Sequence, residues 1–145
     1  MYIIAVAMKD PVIRFRIDFS EINNLGPGKI ALLEALQAAG SISDAARTLK
    51  MSYRRAWLLV SSLNSAFTQP VVISATGGKG GGGAQVTAFG ASLIIQYRSL
   101  EREIKQLGKH RLAEILPHVA DKVISHGRPA RRALAKKVTR ARRKF

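Results

Sequence analysis

A glycine-rich run constrains the fold of this chain more than any other segment. Residues 77–83 are six glycines and one lysine, Lys79. Such a run forms a phosphate-binding loop, a linker between domains or the tip of a hairpin, because glycine adopts backbone conformations that other residues rarely adopt. Residues 71–75 before the run and residues 84–87 after it are short and have the composition of strands. The sequence therefore predicts a two-stranded hairpin with a glycine tip.

The local context argues against the two nucleotide-binding alternatives. A P-loop needs Ser or Thr directly after its lysine, whereas Gly80 follows Lys79. Gly78, Gly80 and Gly83 match the spacing of a dinucleotide-binding motif, but a strand follows them where that motif requires a helix. We therefore expect no nucleotide cofactor. A glycine tip with exposed backbone amides suits close approach to a phosphate backbone or a minor groove, and a plain flexible turn is the alternative.

Apolar periodicity predicts three helices before the hairpin. Residues 29–39 have apolar side chains at helical spacing and are closed by Gly40, a residue typical of helix C-termini. Ser43 is predicted to cap a short second helix, and Ser52 is predicted to cap a third helix, which Pro70 ends. The third helix has apolar residues at the spacing i, i+3, i+4, i+7 and i+11. They are Ala56, Leu59, Val60, Leu63 and Phe67.

A half-buried strand is predicted ahead of these helices, because residues 12–19 alternate between two faces. Its inward side chains are Ile13, Phe15, Ile17 and Phe19. A strand, three helices with a tight turn at Lys50-Met51, and a hairpin describe a winged helix-turn-helix. The predicted fold class is mainly α with a small β component, and the predicted domain covers residues 12–107.

The third helix is the candidate recognition helix, since the first turns of this element contact base edges in the major groove. Its start contains Ser52, Tyr53, Arg54 and Arg55, with Trp57 one turn further on. Arginine can bind guanine bidentately, and Ser and Tyr are suitable partners for phosphates or bases. Two alternatives remain open. Trp57 could be a core residue, and the arginines could be ordinary solvated charges.

The charge of the chain indicates a polyanionic partner. There are 24 Lys and Arg against 9 Asp and Glu, a net charge of +15, and nucleic acid is the default partner for such a chain. Residues 128–145 contain nine basic residues and no acidic one, which leaves +6 for the rest. We predict a disordered basic arm there, with a solubilising tail as the alternative. Lys79 at the hairpin tip is a further candidate for a DNA contact.

A long helix is predicted after the hairpin, capped by Thr87. Apolar residues recur along it in a coiled-coil-like seam with spacings of 4, 3, 4 and 3. They are Leu93, Tyr97, Leu100, Ile104 and Leu107. The seam is longer than the small domain that could cover it, so we expect a homodimer through this helix. Packing on its own domain is the alternative. Residues 108–127 are predicted to be a helical extension, with one more helix over residues 111–125 interrupted near Pro117.

Composition disfavours several other classes of protein. The chain of 145 residues is long enough for about one domain, contains no cysteine, and has no apolar run long enough to span a membrane. We therefore expect a cytoplasmic protein without a membrane segment or a signal peptide. His110, His118 and His126 are spaced eight apart, which does not bring ligands together on one helix face. No metal, no cofactor and no enzymatic activity are expected.

Two segments resemble the ModE family of molybdate-responsive transcription regulators. They are GSISDAARTLKMSYRRAWLLVSSLN and ATGGKGGGGAQVTAFGASLIIQYRSLE, and the resemblance covers about residues 13–107. The second segment is the more specific, because a Gly-Gly-Lys-Gly-rich wing followed by a Thr-x-x-Gly helix start is typical of this family. LysR-type regulators share that helix start without the glycine wing. The resemblance implies the N-terminal DNA-binding domain of the family, which binds double-stranded DNA as a dimer.

Molybdate binding is not expected from this resemblance. Molybdate-sensing members have a further region of two small β-barrel domains, whereas only about forty basic and partly helical residues follow Leu107. The predicted function is a sequence-specific regulator of transcription that binds DNA as a homodimer. The alternatives are a sequence-indifferent architectural DNA-binding protein that uses its basic arm, and a protein-interaction module that uses the long helix.

Overall fold

The computed structural model describes residues 10–75 and 82–121 of the protein. These residues form a mainly α-helical winged helix-turn-helix, as predicted. The elements in chain order are β1 (Ile17–Asp18), β2 (Asn24–Leu25), α1 (Pro27–Ala39), α2 (Ile42–Thr48), α3 (Tyr53–Ala66), β3 (Val72–Ala75), β4 (Gly83–Val86) and α4 (Ala88–Arg111), followed by a 3-10 turn at Leu116–His118.

Helix α1 ends where the sequence predicts, at Gly40. This glycine has φ 73°, the left-handed conformation in which a side chain is unfavourable, and its N–H donates to the carbonyl of Leu36. The carbonyl of Gly40 in turn accepts a hydrogen bond from the N–H of Ala84, at 2.9 Å. The end of α1 is therefore tied to strand β4, which fixes the hairpin beside the helices.

The cap of α2 differs from the prediction. Ser41, and not Ser43, precedes the helix with an extended backbone, and its hydroxyl accepts a hydrogen bond from the N–H of Asp44 at 3.1 Å. The Ser41 hydroxyl also donates to the Asp44 carboxylate at 2.9 Å, which makes a reciprocal cap. Ser43 lies inside the first turn of the helix and is exposed. The chain leaves α1 at Gly40 and has already entered α2 two residues later.

The turn between α2 and α3 is as tight as predicted. Lys50 adopts φ 54°, and the N–H of Met51 donates to the carbonyl of Ala46. Ser52 then caps α3 by accepting a hydrogen bond from the N–H of Arg55 at 3.1 Å, which confirms the predicted start of this helix.

The core lies between the three short helices, the hairpin and the first half of α4. Its members are apolar side chains that are at least 92% buried. They include Ile30, Leu32, Leu33, Leu36, Ala45, Ala46, Ala56, Leu63, Val71, Val72 and Tyr97. The helical spacing predicted for α1 and α3 is therefore the spacing of their core-facing residues.

The N-terminal strand is shorter than predicted. Only β1 pairs with β2, with Ile17 opposite Leu25. The predicted alternation of burial holds for Ile13, Phe15 and Ile17, which are partly buried, but Phe19 is 54% exposed. The chain turns at this point, because the N–H of Phe19 donates to the carbonyl of Asn23. Because β2 contains only two residues, it offers no strand pairing to the residues before Ile17.

Strands β3 and β4 form the predicted antiparallel hairpin, with Val72 opposite Val86 and Ala75 opposite Gly83. The side chain of Asn64 on α3 ties this hairpin to the helix. Its carbonyl accepts from the N–H groups of Val71 and Val72, and its amide donates to the carbonyl of Val72, all within 2.8–3.0 Å. The tip of the hairpin, residues 76–81 with Lys79, lies outside the described residues.

Helix α4 begins at the predicted cap, since the hydroxyl of Thr87 accepts from the N–H of Gly90 at 3.0 Å. It is held to α1 by Arg98, which donates to Glu34 and to Glu101. The further helix predicted over residues 111–125 is not formed within the described residues, which end at 121. Turns and the short 3-10 segment at Pro117 replace it, because proline cannot continue a helical ladder. The predicted basic arm lies outside the described residues. Within the described ranges, no helix is long and apolar enough to cross a membrane.

Candidate nucleic-acid interface

The start of α3 displays most of the residues that the sequence singled out. Ala56, Val60 and Leu63 face the core, so the opposite side of the helix faces outward. Arg54 and Arg55 are exposed, and Tyr53 is 56% exposed. Ser52 is exposed as well, with its hydroxyl used as the cap of the helix. The structure therefore brings these four residues together on one accessible turn.

Trp57 is a surface residue, so the alternative that it belongs to the core is wrong. Its side chain is 51% exposed, one turn beyond Tyr53. The interior positions of α3 are filled by the smaller Ala56, Val60 and Leu63, so the indole is not needed in the core. A half-exposed tryptophan next to a half-exposed tyrosine is unusual for a surface without a partner.

Tyr53 and Trp57 separate two concave surfaces. On one side lies a groove between α3 and the hairpin, with side-chain hydroxyls of Ser43, Ser61, Ser65 and Ser74 along its walls. On the other side lies a shallow hollow on the outer face of α3, which we call the apolar hollow. It is lined by Tyr53, Arg54, Trp57 and Leu58. Both surfaces open to solvent and offer polar and apolar contacts side by side.

The inner side of α3 is fixed by a buried lysine. The ammonium group of Lys29, 8% exposed, donates to the carbonyl of Asn24 at 2.9 Å and to the hydroxyl of Ser62 at 3.0 Å. Burial lowers the pKa of Lys29, and the nearby Arg16 lowers it further. This side chain is a contact between α1 and α3 behind the exposed face, and sequence reasoning gave it no role.

The charged residues near α3 differ in whether an acidic residue accompanies them. Arg47 on α2 makes an ion pair of 2.6 Å with Asp44, while α3 itself contains two arginines and no acidic residue. The uncompensated positive charge of this helix is therefore concentrated in its first turn, beside the apolar hollow.

The predicted seam on α4 is divided by the structure. Tyr97 is 2% exposed, stacks on Phe15 with ring centroids 4.6 Å apart, and donates from its hydroxyl to the carbonyl of Phe15. Burial raises the pKa of the Tyr97 phenol. Tyr97 therefore belongs to the core of its own domain, which corrects its placement on a surface seam. Leu93 and Ile104 are partly buried, whereas Leu100 and Leu107 are 38% and 56% exposed.

Several exposed apolar residues were missed by the sequence reasoning. Leu58 is 51% exposed and lies outside the apolar periodicity of α3, which is the signal that could have identified it. Phe19 and Ile22 are 54% and 80% exposed, and Phe19 lines a groove beside the long helix. A groove beside the seam is lined by Ile17, Phe19, Leu25, Leu93, Gln96, Tyr97, Ser99, Leu100 and Glu103. In the parts of the chain that the structure describes, no group of three metal-ligating side chains is found.

Comparison with known proteins gives relatives but no matching family model. The molybdenum transport protein ModE of Azotobacter vinelandii is 37% identical over 106 residues, which cover 73% of this chain and 39% of that protein. The molybdenum-pterin-binding protein MopA of Rhodobacter capsulatus is 45% identical over 85 residues, 58% of this chain and 32% of that protein. The DNA-binding transcriptional dual regulator ModE of Escherichia coli K12 is 42% identical over 71 residues, 49% of this chain and 27% of that protein.

The chain thus spans less than half the length of these relatives, and the shared part includes up to 73% of its own residues. Two of these three relatives, from different bacteria, are named ModE, and the described fold is the winged helix that the resemblance implied. The chain belongs to the ModE family.

Proposed function

We propose that this protein is a sequence-specific regulator of transcription that binds double-stranded DNA. The observation that carries the proposal is the exposed first turn of α3, where Arg54 and Arg55 stand beside the half-exposed Tyr53 and Trp57. In a winged helix-turn-helix this turn is the part that enters the major groove. Within the described residues these side chains have no role in the core that would explain them.

Charge supports the same partner. The net charge of +15 favours association with a polyanion, and α3 contains no acidic residue that would repel a phosphate backbone. Several relatives are named as regulators, among them a DNA-binding transcriptional dual regulator and a transcriptional regulator from Yersinia pestis. No enzymatic activity is part of the proposal.

The proposed assembly is a homodimer through α4. Leu100 and Leu107 expose apolar surface on this helix, and the groove beside them continues it towards Phe19. A two-fold axis along this surface would direct two α3 helices at half-sites about 10 bp apart, or at a multiple of that spacing. Light scattering at micromolar concentration is expected to give twice the mass of the chain. A monomer mass at that concentration would contradict the dimer and leave the DNA contact of each protomer unaffected.

The glycine-rich hairpin is proposed as the wing, with Lys79 contacting phosphates or the minor groove. Residues 128–145 are proposed to add contacts to phosphates. Neither contact distinguishes between bases, so both the Lys79→Ala change and deletion of the arm should weaken binding to all sequences by similar factors.

The deciding experiment compares selected and random DNA. At least one of the variants Arg54→Ala and Arg55→Ala should lose about 1–3 kcal/mol of binding free energy on the selected site, because it loses a bidentate contact to guanine. The loss on random DNA should be much smaller. The matched control is Arg102→Ala, which removes the same charge from an exposed position on α4. Equal losses on both kinds of DNA would instead indicate an architectural protein that binds through charge alone.

A further inference from the structure

The apolar hollow on the outer face of α3 combines exposed apolar side chains with an arginine. Trp57 and Leu58 are each 51% exposed, and Arg54, which lies one helical turn before them on α3, lines the same hollow. The hollow thus places one long cationic side chain beside two apolar ones. Such a face needs a partner that offers apolar groups next to hydrogen-bond acceptors.

The floor of the DNA major groove offers this combination. Guanine presents two acceptors that suit an arginine, and the C5-methyl group of thymine is the one apolar group on a base edge in that groove. A protein partner would also suit Trp and Leu. The position of the hollow beside the only two charges of α3, both positive, favours the polyanion.

We propose that Trp57 and Leu58 recognise thymine methyl groups that flank the base contacted by Arg54. This inference rests on the proposed function, and it adds the chemical group that determines part of the sequence preference. Leu58 thereby becomes a specificity-determining residue. Its neighbour Arg54 would set the register, because the arginine lines the same hollow one helical turn before both apolar side chains.

The test uses deoxyuridine, which differs from thymidine only by the missing methyl group and keeps the same base pair. After selection of a preferred site, each thymine of one half-site is replaced by deoxyuridine in turn, and the Kd of the full chain is measured. Loss of one buried methyl contact should weaken wild-type binding about fourfold at one or two of these positions.

The same duplexes are then measured with Trp57→Ala and Leu58→Ala. Each variant should bind the thymine duplex more weakly than wild type does, and should lose the fourfold difference at the position that its side chain contacts. The change to alanine suits a helix, so the fold should be retained, and circular dichroism checks this. Leu58→Gln, which keeps a long side chain but removes the apolar contact, should behave as Leu58→Ala does. The matched control is Ile115→Ala, a 57% exposed apolar residue beyond α4, which should keep the fourfold difference.

Three results would overturn the inference, and they can be told apart from failure of the proposed function. The first is a preferred site at which no deoxyuridine weakens binding. The second is an equal deoxyuridine effect in wild type and in both α3 variants. The third is unchanged DNA affinity in both variants, which would assign the hollow to a protein partner. If selection yields no preferred sequence, the proposed function fails first and this inference with it.

Discussion

Replacing Gly90 by alanine should destabilise the protein although alanine is the better helix former. Gly90 lies in the first turn of α4, where the helix passes close to Val71, the residue before β3, and to Val86 of β4. A Cβ atom at this position would lie 2.5 Å from the carbonyl oxygen of Val71 and 2.7 Å from the Cγ1 atom of Val86. The first of these atoms belongs to the backbone, so no change of rotamer can move it away.

The Val71 carbonyl is held in place from both sides. It accepts from the N–H of Thr87 at 3.0 Å and from the Thr87 hydroxyl at 3.2 Å, while the N–H of Val71 is bonded to Asn64. Overpacking a core of this kind costs about 1–3 kcal/mol, and the fixed backbone places the cost at the upper end. The gain in helix propensity offsets about 1 kcal/mol. The net loss in the free energy of unfolding is therefore about 2 kcal/mol.

The measurement is thermal and urea unfolding followed by circular dichroism at 222 nm. A loss of about 2 kcal/mol should lower Tm by roughly 8–16 °C for a domain of this size. The matched control is Gly28→Ala in the first turn of α1, where an added Cβ would meet nothing within 4 Å. This control should be neutral or stabilising by as much as about 1 kcal/mol. A Gly90→Ala variant as stable as wild type would show that α4 does not approach Val71 and Val86 as closely as described.

Three further changes test other parts of the fold. Ser41→Ala should cost about 1 kcal/mol because it removes the cap of α2, whereas Ser43→Ala should cost almost nothing, and urea unfolding of the pair would contradict the assignment if the order were reversed. Asn64→Ala should cost about 2–3 kcal/mol in the same assay, because three backbone groups of the hairpin lose their partner; Ser65→Ala, on the exposed side of the helix, is the control. Burial lowers the pKa of Lys29, so the unfolded chain binds this proton more tightly than the folded chain does, and this contribution to stability rises as the pH approaches 10.5 from below. Urea unfolding at pH 7 and at pH 10 measures this effect: raising the pH should shift the stability difference between wild type and Lys29→Met in favour of wild type. A difference that is the same at both pH values would contradict the role of burial.

Helix boundaries were predicted well where the capping chemistry is contained within a few residues. Ser52, Thr87 and Gly40 each mark a helix end because the hydroxyl or the left-handed backbone acts on a neighbour within one turn. The prediction for α2 was wrong because Ser41 and Ser43 are equally good capping residues by type. The choice between them depends on how the chain leaves α1, which involves contacts of Gly40 with the distant strand β4.

Periodicity alone did not reveal which partner an apolar residue has. Tyr97 fits the seam of α4 by spacing, yet it packs on Phe15, which is 82 positions earlier in the chain. Phe19 fits the buried side of a strand, yet the chain has already turned when it reaches this residue. Leu58 was missed for the opposite reason, since it lies off the apolar spacing of α3 and is exposed. A pattern reports which residues share a face, and only the tertiary contacts decide what covers that face.

The contacts of Asn64 give α3 and the hairpin a shared geometry. The side chain joins the last turn of the candidate recognition helix to the backbone at the start of β3, and Lys29 holds the same helix from α1. The helix and the base of the proposed wing should therefore move as one body. The distance between a base contact at Arg54 and a phosphate contact made by the wing would then be fixed by the fold, and not adjusted on binding. It follows that removing the Asn64 side-chain contacts should weaken binding to the selected sequence more than binding to random DNA. Only specific binding needs the base contact and the phosphate contact in register.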